Sequence, residues 1–183
     1  MQKADELIDH FVSVLSRKPF VSMLADQIPK HLRTEEHSPT GDPQWQICAV
    51  SNAWVADLEK ALQERLPIAY RSLIARYDFH EFEIGTITFL ANIGELTPRR
   101  LLAREEMAPH LLREGMIQFG RPAGGSYDPV CFAVKRRSKT DAPIVQIDHE
   151  DILLRNGRIT VKKEIATSFR RFVECVISGE FNR

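Results

Sequence analysis

The chain has 183 residues, 43% of them hydrophobic and 27% charged, ordinary usage for one globular domain with a sizeable core. Its 25 basic and 25 acidic side chains cancel, which argues against a general nucleic-acid coat protein. No window approaches the ~18 consecutive apolar residues of a bilayer span, and Cys48, Cys131 and Cys175 lack the paired spacing of a zinc ribbon or disulfide framework. No secretory pattern follows Met1, so a cytoplasmic, reduced protein is expected.

Residues 4–15 place Leu7, Ile8, Phe11, Val14 and Leu15 on one stripe, an amphipathic helix that Pro19 would end. A second apolar patch at 20–32 is broken by Pro29. Residues 34–44 are rich in turn formers and have no period. Residues 1–45 therefore read as an N-terminal helical extension with a polar linker, its first 33 residues either a separate helical arm or helices returning to cover the main core, and 46–183 as the main domain. In that domain Val50, Ala53, Trp54, Leu58, Ala61 and Leu62 make a helical stripe, and Leu66-Pro67 opens the next helix through Tyr70, Leu73, Ile74 and Tyr77.

Residues 82–91 alternate as a strand with Gly85 as a bulge or close approach. Thr97-Pro98 caps a helix predicted to run to about Arg113, kinked or shortened by Pro109. Residues 115–120 form a strand bounded by glycines. Residues 127–134 and 143–148 are two apolar, β-branched runs joined by a charged turn, the pattern of a hairpin. Asn156-Gly157 is a turn signal before a strand at 158–161. A closing helix places Ile165, Phe169, Phe172, Val173 and Val176 on one face. The order predicts an α+β fold: a single, mostly antiparallel (mixed) sheet packed by helices, mainly on one side, with extra N-terminal helices.

Charge is uneven. Residues 1–92 carry 13 acidic and 9 basic side chains, and residues 93–183 carry 12 and 16. Halves folded onto opposite faces would steer a charged partner. Lys135-Arg136-Arg137 on the hairpin turn is the densest basic cluster, a solvated tip or a site for an acidic protein. No aromatic residue is interleaved there for stacking on nucleic acid, and no nucleic-acid partner is expected. Asp148-His149-Glu150-Asp151 gathers three carboxylates around an imidazole. In an extended segment these would alternate between faces, leaving strand-end solvation or contact with a partner's basic groups. His80-Glu81-Phe82-Glu83 lacks the spacing that sets two imidazoles on one helix face. There is no GxSxG, P-loop or GxGxxG. No catalytic residue, metal or cofactor is expected. Trp45, in a polar lead-in, is expected to be partly exposed and a binding anchor.

Five segments resemble the SUKH superfamily, which includes yeast cell-wall-synthesis regulators and bacterial toxin-immunity proteins. Trp54 precedes Leu66-Pro67-Ile-Ala-Tyr70-Arg-Ser-Leu73, which looks like the family's Leu-Pro-x-x-Tyr-x-x-Leu segment. Gly115-Met-Ile-Gln-Phe-Gly120 resembles its glycine-bounded strand. Val130-Cys-Phe, the run from Pro143 to Glu150 and the run from Ile165 to Val173 resemble its closing signature. The match covers roughly residues 50–178, and Asp78-Phe-His-Glu-Phe-Glu83 replaces a Gly-rich segment usual in many members. The resemblance implies an α+β fold and a non-catalytic protein-binding role, with a cognate toxin as the most concrete partner. Two rivals stay open. One is a regulatory scaffold using the N-terminal arm, the other a metal-dependent hydrolase using His149.

Overall fold

A computed structural model of the chain describes residues 2–22, 27–94, 107–136 and 141–180. The fold is α+β. Its body is a six-stranded antiparallel sheet built from β6 (Phe82–Ile84), β7 (Ile87–Phe89), β8 (Met116–Pro122), β9 (Val130–Ala133), β10 (Ile144–Ile147) and β11 (Val161–Ala166). These strands lie side by side in chain order, each paired antiparallel with the next. Two smaller sheets accompany it. One joins β1 (Phe20–Val21), β3 (Pro43–Trp45) and β2 (Arg33–His37), and the other pairs β4 (Cys48–Ala49) with β5 (Tyr77–Asp78). The helices are α1 (Gln2–Leu15), α2 (Val55–Leu62), α3 (Ile68–Arg76), α4 (Ala108–Arg113), α5 (His149–Leu154) and α6 (Phe169–Ser178).

The two-residue period of the strands divides their side chains between two cores. Ile117, Phe119, Val130, Phe132 and Ile144 face a large core closed by α1, α3 and α6, where Ile8, Phe11, Tyr70, Leu73, Phe169 and Phe172 are buried. Met116, Cys131, Ala133, Val145 and Ile147 face a second core, covered by Leu111 of α4 and Ile152 of α5. Helices thus pack on both faces of the sheet, where the sequence suggested mainly one. Aromatic rings carry much of the large core. Phe119 and Phe132 stack with centroids 4.1 Å apart, and Phe169 meets Phe132 edge-on at 5.5 Å.

Local chemistry places the closing helix. Ser168 accepts from the amide of Arg171 at 3.0 Å, and the Asp141 carboxylate accepts from the amides of Phe169 and Arg170. Three of the four orphan amides of the first turn are thereby satisfied. At the other end Gly179, at φ 75°, supplies the left-handed cap.

Several expectations need correction. The first 45 residues hold one α-helix, a 3-10 turn (Lys30–Leu32) and three strands among those described, and residues 33–37 and 43–45 are strands where a polar linker was predicted. Ile8, Phe11, Leu32 and Trp45 belong to the same large core as Tyr70 and Phe169. Ser72 donates to Asp5 at 2.5 Å and Tyr77 donates to Asp9 at 2.6 Å, which lock α1 onto α3 and the start of β5. Of the two alternatives for this segment, α1 follows the second: its apolar stripe is occupied against the main core rather than offered as a free arm. Gly85, at φ 57°, is not a bulge in one strand: it lies between β6 and β7, which pair as a hairpin. Tyr77 opens β5 rather than closing α3. Ile165 lies on β11, because the last strand spans Val161–Ala166 and begins where the predicted 158–161 strand ended. Pro109 stands in the first turn of α4, where a missing amide is harmless. Thr97-Pro98, the predicted helix start, lies outside the described residues.

Candidate functional site

The acidic segment 148–151 does not run on as a strand. Asp148 is the N-cap of α5 and accepts from the amides of Glu150 and Asp151 at 2.9 and 3.3 Å. Helical winding replaces the predicted alternation. His149 and Leu153 then fall on one face at i, i+4, as do Glu150 and Leu154, while Asp151 and Ile152 turn inward.

The groups converge on Asp128, which sequence reasoning did not single out. It stands just before β9 and is 3% exposed. His149 of α5 donates to its Oδ1 twice, from the backbone amide at 3.1 Å and from Nδ1 at 2.7 Å. Gln146 of β10 donates to Oδ2 at 2.7 Å, and Lys162 of β11 lies 3.0 Å from the same oxygen. Lys162 also reaches Asp148 Oδ2 at 3.3 Å. Burial pushes the Asp128 carboxyl up, but the bonds from His149, Gln146 and Lys162 together outweigh it. They hold the group well below the usual carboxylate range. Lys162 is raised in turn, first by its bond to Asp128 and then by Asp148.

Asp128, Asp148 and His149 each bring a ligand atom within 4.8 Å of the others, a spacing that could hold a metal ion. The donor set counts against one. The Lys162 ammonium already lies between the two carboxylates, and His149 directs Nδ1 into Asp128. A metal would have to displace an internal cation that neutralises the same charge.

Of the four exposed large hydrophobic side chains among the described residues, three lie beside His149 or on its helix, and the fourth is Val21. Tyr127 is 74% exposed, Leu154 79% and Leu153 47%. The Tyr127 ring lies 6.1 Å from the imidazole of His149. Tyr127 also borders a groove of about 240 Å³, whose walls include Leu90, Met107, Leu111 and Met116. The ion pair of Arg121 with Glu81, at 2.9 Å, sits at the same groove. The Glu150 carboxylate has no hydrogen bond or ion pair among the described residues.

The other predicted contact residues fare differently. Trp45 is not an exposed anchor: it is 1% exposed, stacked on Phe20 at 4.4 Å and flanked by His80 and Phe82. Its lead-in pairs as a strand, which turns the indole into the large core. Lys135 is committed to the fold. Its Nζ donates to the Arg113 carbonyl at 2.6 Å, closing the C-terminus of α4, and its stem lies where a Cβ on Gly115 would be. Arg136 ends a short 3-10 turn (Val134–Arg136), and Arg137 lies outside the described residues. Asp148, His149 and Glu150 come together as a site. Asp128, Gln146 and Lys162 were missed because strand register brings them there. Leu153 and Leu154 were legible in principle: an Asp with acids in the following turn is a helix-start signal.

Compared with family models and with curated proteins, the chain matches neither a family model nor a curated protein.

Proposed function

We propose that the protein is a non-catalytic domain that binds another protein, and that Tyr127 with the outer face of α5 is its contact surface. One observation carries the reading. Tyr127 stands exposed beside, and Leu153 and Leu154 on the same helix as, an imidazole whose position is fixed from behind by a buried carboxylate. Apolar groups clustered on a rigid frame keep water contact only at a cost, which a partner removes. The resemblance to the SUKH superfamily supports an immunity protein of the cytoplasm, with a bacterial toxin as the partner. No helix among the described residues is long and apolar enough to cross a membrane. Steering between opposite charges would speed such an encounter.

The test is co-expression with toxin domains encoded beside the gene, using the native chain and the double variant Tyr127→Ser, Leu154→Asp. Protection and a co-purified complex, both lost in a variant that melts like the native chain, are expected. Full protection by that variant would remove this face from the reading. No rescue by any neighbouring toxin would remove the immunity version.

The Asp128–His149 pair favours one second reading, a hydrolase with His149 as general base oriented by Asp128. Among the described residues no Ser, Thr or Cys side chain is bonded to His149 to serve as nucleophile. Stoichiometric zinc or manganese in purified protein, lost in His149→Ala, would put this reading first.

A further inference from the structure

We propose that the α5 face is built to receive a basic side chain, an arginine or lysine flanked by apolar residues on the partner. This deepens the protein-binding reading and rests on it. His149 is the centre of this face. Its Nδ1 lies 2.7 Å from a carboxylate oxygen of Asp128, which can only accept, so that nitrogen must carry the proton. In the neutral ring Nε2 is then an obligatory acceptor, and no described residue donates to it.

The Glu150 carboxylate, one position along the same helix, is a second acceptor without a described partner. Lys162 is shared by Asp128 and Asp148, so one ammonium answers two carboxylates, and Glu150 adds a further negative charge at this end of the site. Two open acceptors of net negative character thus lie on successive residues of α5, the first beside the Tyr127 ring and both on the helix that carries Leu153 and Leu154. A guanidinium or ammonium matches them. Its charge meets Glu150, its N–H groups meet Nε2, the Tyr127 ring offers a cation–π face, and its methylene stem covers leucine. An acidic segment would set like charge against Glu150 and find no donor on His149.

Nitrogen-15 amide spectra of the intact chain test this, titrated separately with blocked tripeptides Leu-Arg-Leu, Leu-norleucine-Leu and Leu-Glu-Leu. The arginine peptide should move the amides of Tyr127 and of residues 149–154 and bind more tightly than the others. Glu150→Gln should weaken it about threefold or more, the worth of one exposed charge pair. Equal binding of the norleucine or glutamate peptide at the same amides would overturn the basic anchor, while leaving a protein-binding face in place. An arginine peptide indifferent to both Glu150→Gln and His149→Phe would overturn it too, as would silence of these amides toward every peptide. Shifts at α5 that grow with chain concentration alone would identify a second copy as occupant and remove both readings. The co-expression assay decides the broader reading separately.

Discussion

Asp128 shows how one buried carboxylate organises a surface. It gathers a loop, β10, α5 and β11 by accepting from four donors at once. Asp128→Asn keeps the shape and removes the charge that Lys162 and His149 answer. A loss of about 2–3 kcal/mol at neutral pH is expected from chemical denaturation. The pH dependence has a definite sign. A carboxyl held low in the folded state adds stability that is complete above its unfolded value, about 3.9, and is lost as pH falls through the folded value. Melting temperature against pH should therefore drop below about pH 4 in the native chain, and Asp128→Asn should flatten part of that limb. Gly157 carries a different constraint. At φ 75°, a Cβ there would lie 1.9 Å from Nδ1 of His110. Gly157→Ala should lose about 2–3 kcal/mol from strain and overlap. The double variant with His110→Ala should recover the overlap part only, leaving the backbone strain, as a double-mutant cycle would read.

Among the elements, α1 is held both by its apolar stripe and by polar ties. Arg76 and Tyr77 both bond Asp9, whose carboxyl is lowered chiefly by the bond from Arg76. Burial and then the bond to Asp9 push the Tyr77 phenol up to about 12. A group raised on folding adds stability below its unfolded value, about 10, and loses it as pH rises through the folded one. Stability should thus decline between about pH 10 and about pH 12. Tyr77→Phe should remove that decline, checked by urea midpoints along an alkaline series. The strand β3 is locked similarly by Trp45, buried against Phe20 and Phe82. Trp45→Ala should cost about 3–5 kcal/mol. In a Trp54→Phe background the remaining indole should emit at short wavelength and resist quenching by acrylamide.

At the scale of the whole molecule, the first 45 residues and the six-stranded sheet share one core through Phe11, Leu32, Trp45, Tyr70 and Phe169. Removing residues 1–45 would strip α1 from α3 and α6 and expose Ile8 and Phe11's partners to water. The truncated chain should fail to unfold cooperatively. In the native chain, urea transitions followed by Trp45 emission and by far-UV circular dichroism should coincide, as expected when one core joins all elements. Two separated transitions would mean that the N-terminal part folds by itself. The sheet is covered on both faces, by α1, α3 and α6 on one and by α4 and α5 on the other. Its flat surfaces are therefore committed to packing, and a partner meets the outside of α5.

Periodicity made most helices, the principal strands and the α+β class legible, because burying one face of a helix or strand writes a period into neighbouring residues. Leu66-Pro67 and Asn156-Gly157 read correctly for the same reason: caps and turns act over a few residues. Trp45 and the site around Asp128 could not be read this way. Whether a lone aromatic in a polar stretch is buried depends on what lies across the strand, here Phe20 and Phe82. Asp128, Gln146, His149 and Lys162 are separated by up to 34 positions, and only the register of β9, β10 and β11 sets their side chains within 3.3 Å of one carboxylate. Local sequence governs the single element. Long-range pairing, which no short window contains, assembled the site.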